Sequence, residues 1–119
     1  MKASSYKDLF VWKKAHELVL EIYRSTEKFP QVEIFGMTNQ MRRASVSITS
    51  NIAEGFARHS AKEKVQFYYV SLGSLSELDS QIEIAKDLRY LKNTEYDLIA
   101  PMLMETSKML NSLIKSISS

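Results

Sequence analysis

Apolar residues recur at intervals of three and four along most of the chain, the spacing that places them on one face of an α-helix. The pattern predicts four helices, at about residues 8–26, 38–58, 61–90 and 94–117. Only short connections separate them. Four amphipathic helices joined in this way pack as an antiparallel up-down-up-down four-helix bundle. We therefore expect an all-α fold, with residues 1–119 forming one four-helix-bundle domain.

Local signals predict where these helices begin and end. Asp8 is expected to cap the first helix, and Pro30 limits it because the residue before a proline is pushed out of the α region. Ser60 and Glu63 have the spacing of a capping box at the start of the third helix. Pro101 lies inside the fourth helix, where proline removes a backbone hydrogen bond. One bent helix is favoured there over two separate segments.

A row of polar side chains follows the second helix beside its apolar stripe. Antiparallel packing brings this row against the third helix. A buried polar group without a partner costs about 1–3 kcal/mol, so the row is expected to fix the register of the two helices. The alternative is that it lies on a contact between subunits. The row and its expected partner on the third helix are Gln40, Arg43, Ser47, Asn51, Glu54 and Glu77.

Two ion pairs and one close approach are expected in this helix pair. Arg43 is expected to pair with Glu77. Glu54 is a candidate catalytic carboxylate, but an ion pair with Arg58 one turn later is the simpler interpretation. Gly73 costs its helix about 0.8–1.0 kcal/mol relative to alanine, so close backbone packing is expected to compensate.

The composition removes several classes of chemistry. The chain has no cysteine, which excludes disulfides, iron–sulfur clusters, cysteine-built zinc sites and thiol nucleophiles. Its three glycines cannot form a glycine-rich phosphate loop. Neither His16 nor His59 belongs to a metal-binding motif. We therefore expect no cofactor, no metal and no enzymatic activity.

Membrane insertion is not expected either. The longest uncharged stretches, which include residues 44–53 and 67–76, are about ten to twelve residues long, against roughly 20 for a membrane span. The first residues lack the apolar core of a signal peptide. The expected location is the cytoplasm.

Positive charge is concentrated in one segment. The chain carries a net charge of +2, whereas residues 42–64 hold five basic residues and two acidic ones. This excess is typical either of ordinary helix surface or of a surface that attracts phosphates or an acidic partner. The residues expected to bind nucleic acid or a partner are Arg42, Arg58, Lys62 and Lys64.

Five short motifs occur together along the chain. They are DLFVW at 8–12, EIFGMT at 33–38, QMRRA at 40–44, NIAEG at 51–55 and GSLSEL at 73–78. With them, the sequence resembles the four-helix-bundle proteins first noticed as open reading frames in intervening sequences of bacterial 23S ribosomal RNA genes. That family also includes the accessory variability determinant proteins of diversity-generating retroelements.

The resemblance implies a homopentameric ring without enzymatic activity. In the retroelement branch it implies binding of the reverse transcriptase and of nucleic acid through a basic surface. Because a charge of +2 per chain is modest, the expected function is an RNA- or protein-binding adaptor of the intervening-sequence type. The alternatives are a purely structural ring, an accessory subunit of a retroelement reverse transcriptase and, last, a small enzyme or ligand-binding bundle.

Overall fold

Four α-helices account for most of residues 3–118, the part of the chain that the computed structural model describes. No strand occurs in this range. The helices are α1 (Phe10–Thr26), α2 (Met37–Ala57), α3 (Ala61–Asp87) and α4 (Asn93–Ser118), and two 3-10 turns cover Tyr6–Asp8 and Gln31–Glu33. The expected all-α, antiparallel four-helix bundle is confirmed.

The helices occupy the corners of a square in chain order. α1 contacts α2 and α4, and α3 contacts the same two helices. Each helix turns its apolar stripe inward, because removing that stripe from water is the main favourable term in folding. The resulting core takes side chains from all four helices, among them Leu18, Ile22, Met41, Ile48, Ile52, Leu78, Ile82, Ile99 and Leu110.

The start of α1 differs from the prediction. Asp8 does not cap α1; it ends the preceding 3-10 turn, which Ser5 caps. The Asp8 carboxylate accepts hydrogen bonds from the backbone N–H groups of Ser4 and Ser5, at 3.1 and 3.2 Å. These donors, Ser4 first, hold the pKa of Asp8 below its usual value. α1 then begins at Phe10 without a side-chain cap.

α3 ends three residues earlier than predicted, because Arg89 adopts a φ of 64°. The N–H of Tyr90 donates to the carbonyl of Ala85 and the N–H of Arg89 to that of Lys86, both at 2.9 Å. This pair of bonds is the Schellman arrangement, which usually has glycine at the left-handed position. Nothing in the sequence marks an arginine for that role.

α4 continues through Pro101 as one helix. The favoured single helix is therefore confirmed, and the alternative of two segments is wrong. Pro101 and Asp97, whose carbonyl loses its helical donor, are both exposed. Because water can reach that carbonyl, the missing bond costs less than it would inside the core.

Candidate functional site

The polar row meets α3 through Ser47. The hydroxyls of Ser47 and Ser74 lie 2.8 Å apart, and one turn away the Ser71 hydroxyl donates to the backbone carbonyl of Ile48 at 2.9 Å. Ser71 is fully buried. Sliding one helix along the other would break both hydrogen bonds, so these serines fix the register of α2 and α3.

Gly55 of α2 packs against the side chain of Tyr68 in α3. A Cβ atom at this position would lie 2.5 Å from Cε1 of Tyr68, whose ring is buried. The aromatic ring therefore occupies the space of the missing side chain. The NIAEG motif is the signal for this contact in the sequence, although the motif alone does not name the tyrosine.

Within residues 3–118, the other members of the row on α2 make no hydrogen bond to α3. The half-buried Asn51 donates to the carbonyl and hydroxyl of Ser47 in its own helix, at 2.8 and 3.1 Å. Gln40, Arg43 and Glu54 are exposed. The row is thus a short contact at its centre, with solvated ends.

Two expectations about this helix pair are wrong. Arg43 and Glu77 line one groove, but no ion pair joins them in the described part of the chain, since both side chains extend into solvent. Gly73 is exposed, and a Cβ atom there would meet nothing within 4 Å. No contact with residues 3–118 explains this glycine.

Arg42, one of the residues expected to bind a partner, holds the end of α1. Its Nε donates to the hydroxyl of Thr26 at 2.9 Å and its Nη2 to the carbonyl of Tyr23 at 3.3 Å. The guanidinium also lies 4.7 Å from the centre of the Tyr23 ring. A cation at the C-terminus of a helix is favourable because the last carbonyls lack donors there.

Lys64 holds the end of α2 in a similar way, and Arg58 lies at the same turn between α2 and α3. The Lys64 amine donates to the carbonyl of Phe56 at 2.8 Å. Arg58 pairs with Glu54 at 2.9 Å, as expected, and its guanidinium lies 4.8 Å from the Phe67 ring. Lys62 is exposed, and no ion pair involves it within residues 3–118. A role of these residues in binding stays a prediction.

The connection between α1 and α2 is a feature that the sequence patterns missed. Glu33 fixes it, accepting hydrogen bonds from the Tyr90 hydroxyl at 3.0 Å and the Met37 N–H at 3.1 Å. The first of these bonds raises the pKa of Tyr90. The connection nevertheless exposes Val32 and Phe35 almost completely. The sequence signal for this exposed connection is that Val32 and Phe35 are apolar but lie outside the apolar stripe of any helix.

Polar side chains also join α4 to both of its neighbouring helices, α3 and α1. The Tyr96 hydroxyl donates to Glu83 of α3, which raises the pKa of Tyr96. Lys14 of α1 pairs with Glu105 at 2.9 Å, and that contact raises the pKa of Lys14.

In residues 3–118, no three His, Asp or Glu side chains are placed to hold a metal ion. No described helix is long and apolar enough to cross a membrane.

The fold and these contacts define a helical-bundle protein whose polar side chains join its own helices. The model of the 23S rRNA-intervening sequence protein family matches residues 7–112. The chain therefore belongs to this family, and the resemblance found in the sequence is confirmed.

A solved structure of similar fold comes from Bacteroides thetaiotaomicron, a protein of unknown function from the S23 ribosomal protein family. The two chains share 25% sequence identity with a TM-score of 0.79, over 88% of this chain and 98% of that one. A search of curated proteins found no match.

Proposed function

We propose that this protein is a non-enzymatic homo-oligomer, a pentamer, that acts in the cytoplasm as an adaptor for RNA or for another protein. The observation that carries the proposal is the exposure of large apolar side chains at both ends of the bundle. Phe10 is 76% exposed, Val32 85% and Phe35 90%. Large exposed apolar patches often mark contacts with other chains, which favours assembly of this protein.

A protein partner is favoured for the connection between α1 and α2. Phe35 lines a groove with Gln40, Arg43 and Glu77, so an aromatic side chain stands beside polar groups of both signs. The hydrogen bonds of Glu33 fix the backbone of the connection that carries Phe35. A preorganised aromatic residue with a polar rim is the usual centre of a protein interface, because little entropy is lost on binding.

A nucleic-acid partner is supported by charge. The net charge of +2 per chain becomes about +10 in a ring of five, and Arg43 and Lys62 are exposed in the single chain. Arg42 and Lys64, in contrast, hold helix ends through hydrogen bonds. Binding through the exposed residues would be independent of base sequence and would weaken as salt rises.

Light scattering tests the assembly at micromolar concentration. The expected mass is five times that of the 13.7 kDa chain. A monomer under these conditions contradicts the proposal.

The partner is tested with two matched pairs of variants. Loss of a mobility shift with RNA or DNA in Arg43→Glu/Lys62→Glu, but not in Lys28→Glu/Lys115→Glu, indicates nucleic-acid binding. Loss of a co-purifying protein in Phe35→Asp, but not in Gln31→Asp, indicates a protein partner. If the oligomer binds neither, the adaptor function is wrong and a structural ring remains.

A further inference from the structure

A groove of about 340 Å³ opens to solvent between α3 and α4, the α3–α4 groove. Its floor is apolar, because it is formed by Leu75 and Leu103 of the core with the half-buried Ala100. Met104 lines the same groove and is 61% exposed, so most of its flexible side chain is free for a contact. An apolar lining with a few polar groups is typical of a binding site.

The two ends of the groove carry opposite charges. The hydroxyl of Tyr96 donates to Glu83 across these antiparallel helices. One turn further along, Asp79 therefore lies beside Ala100, and both line the groove. Lys108, which also lines it, follows Ala100 by eight residues, about 12 Å along the helix axis. Within residues 3–118, neither Asp79 nor Lys108 takes part in an ion pair.

The distance between these charges matches the spacing of alternate side chains in an extended peptide. Such a chain rises about 3.3 Å per residue, and its side chains i, i+2 and i+4 lie on one side, so three of them cover about 13 Å. A basic, an apolar and an acidic side chain in this order would contact Asp79, the apolar floor and Lys108. Sites that receive alternate side chains are a recurrent mode of peptide recognition.

Two serines favour an extended segment over a helix. Ser76 and Ser107 line the groove, and neither hydroxyl makes a hydrogen bond in the described part of the chain. A helix satisfies its own backbone groups except at its ends, whereas an extended segment leaves N–H and C=O groups that need partners. A serine hydroxyl can donate to one such group and accept from another.

We propose that the α3–α4 groove binds an extended segment of a partner protein in which a basic, an apolar and an acidic residue alternate with other residues. This inference rests on the proposed protein partner and names the segment that the partner presents. The groove is separate from the one that Phe35 lines between α2 and α3. Nucleic acid is not the expected occupant, because Asp79 would repel its phosphates.

Synthetic peptides with blocked ends test the groove, with methyl NMR spectra of the full chain as the measurement. The probe is Gly-Lys-Ser-Leu-Ser-Glu-Gly. The control, Gly-Lys-Leu-Glu-Ser-Ser-Gly, has the same composition but brings its charges closer together. Only the probe should give saturable shifts of the methyl signals of Leu75, Leu103 and Met104, because only its three side chains span the groove.

Reversal of one charge separates recognition from a structural effect. Asp79→Lys should weaken binding of the probe by about fivefold or more, since an ion pair is replaced by a repulsion. The same variant should bind Gly-Glu-Ser-Leu-Ser-Glu-Gly, which the wild type should not bind. Asp87→Lys makes the same change of charge at an exposed position of α3 outside the groove and should bind the probe like the wild type. Circular dichroism verifies that both variants are folded.

Four results overturn the proposed groove. They are a probe that gives no saturable shifts up to several millimolar, a control peptide that binds equally well, an Asp79→Lys variant with unchanged preference, and groove shifts caused by an oligonucleotide but not by the probe. A co-purifying protein that depends on Phe35 would keep the adaptor function in each of these cases. A probe that binds while the oligomer has no partner would reject the adaptor function alone, so the two failures are distinguishable.

Discussion

Gly55 and Gly73 lie in neighbouring helices but have opposite surroundings. At Gly55 the ring of Tyr68 fills the space of a side chain, whereas at Gly73 that space is empty. Glycine therefore allows a buried contact between helices at position 55 of α2, whereas at position 73 of α3 it lies on an exposed surface. A helix-interior glycine costs about 0.8–1.0 kcal/mol relative to alanine. Substitution by alanine therefore tests whether the surroundings of each glycine compensate for this cost.

Gly55→Ala should destabilise the protein by about 1–3 kcal/mol, because the added methyl group would overlap the buried Tyr68 ring. Urea unfolding at fixed chain concentration measures the effect. The cost should be smaller in a Tyr68→Leu background, where the ring is gone, and this coupling identifies the contact. An equal cost in both backgrounds would contradict the explanation.

The buried hydroxyl of Ser71 should matter more than the amide of Asn51. Ser71→Ala leaves the Ile48 carbonyl without its additional donor and removes the bond between helices, which should cost about 0.5–1.5 kcal/mol. Asn51→Ala removes bonds within one helix at a half-buried position and should cost less. Thermal melts that rank the two variants in the reverse order would show that Asn51 has a larger role.

At the scale of the helices, a cationic side chain of one helix binds the C-terminal turn of the helix that precedes it in the chain. Arg42 of α2 binds the last turn of α1, and Lys64 of α3 binds the last turn of α2. Each charge therefore contributes to the local order of the chain through the carbonyls that a helix leaves unpaired.

Arg42→Met should lower the unfolding free energy by about 1–2 kcal/mol, since it keeps an apolar stem but loses the bonds to Thr26 and Tyr23. Arg43→Met changes the next residue, which is exposed, and should stay within about 0.5 kcal/mol of the wild type. Chemical denaturation of both variants makes the comparison. Equal effects of the two substitutions would rule out the capping role.

Arg89→Gly should stabilise the protein by about 0.5–1 kcal/mol. The φ of 64° is unfavourable for an arginine and free of that cost for glycine. Asp87→Gly, at the last residue of α3, should destabilise it instead, because glycine is a poor helix former. Differential scanning calorimetry gives both shifts, and a lower melting temperature for Arg89→Gly would exclude strain at this residue.

The four helices could be predicted because the apolar period of each one extends over many turns. The helix ends were harder to predict. Asp8 accepts hydrogen bonds from N–H groups that precede it in the chain, and Arg89 takes a backbone conformation that its residue type disfavours. The bonds of Arg42 and Lys64 also escaped prediction. Charge and spacing show that these side chains are cationic, but only packing shows which carbonyls come within their reach.

The molecule as a whole has tyrosines whose protonated form is favoured by folding. Hydrogen bonds to Glu33 and Glu83 raise the pKa of Tyr90 and Tyr96, and burial raises the pKa of Tyr68. In the unfolded chain these phenols ionise at about pH 10. The folded state therefore keeps protons that the unfolded state releases.

Stability should accordingly decline with rising pH in alkaline solution. The contribution of these tyrosines is fully present below about pH 10 and is lost as pH rises through their folded pKa values. Denaturant titrations between about pH 8 and 11 should show the decline, with a shallower slope in Tyr68→Phe. Tyr69→Phe, which changes an exposed side chain, should follow the wild type. A decline that is equally steep in Tyr68→Phe would exclude a contribution from that residue.

The turn between α2 and α3 has a consequence for the order in which the chain folds. Only residues 58–60 separate the two helices, whereas ten residues separate α1 from α2. Closing a short loop costs less chain entropy, and contacts near in sequence form sooner. At low chain concentration, Ile48→Val should therefore slow folding, with a φ-value of about 0.5–0.8, while Leu110→Ala in α4 should give about 0–0.3. Helices α2 and α3 would then be paired while α1 and α4 are still being added, and the apolar stripes of this pair would stay in contact with water until the bundle closes.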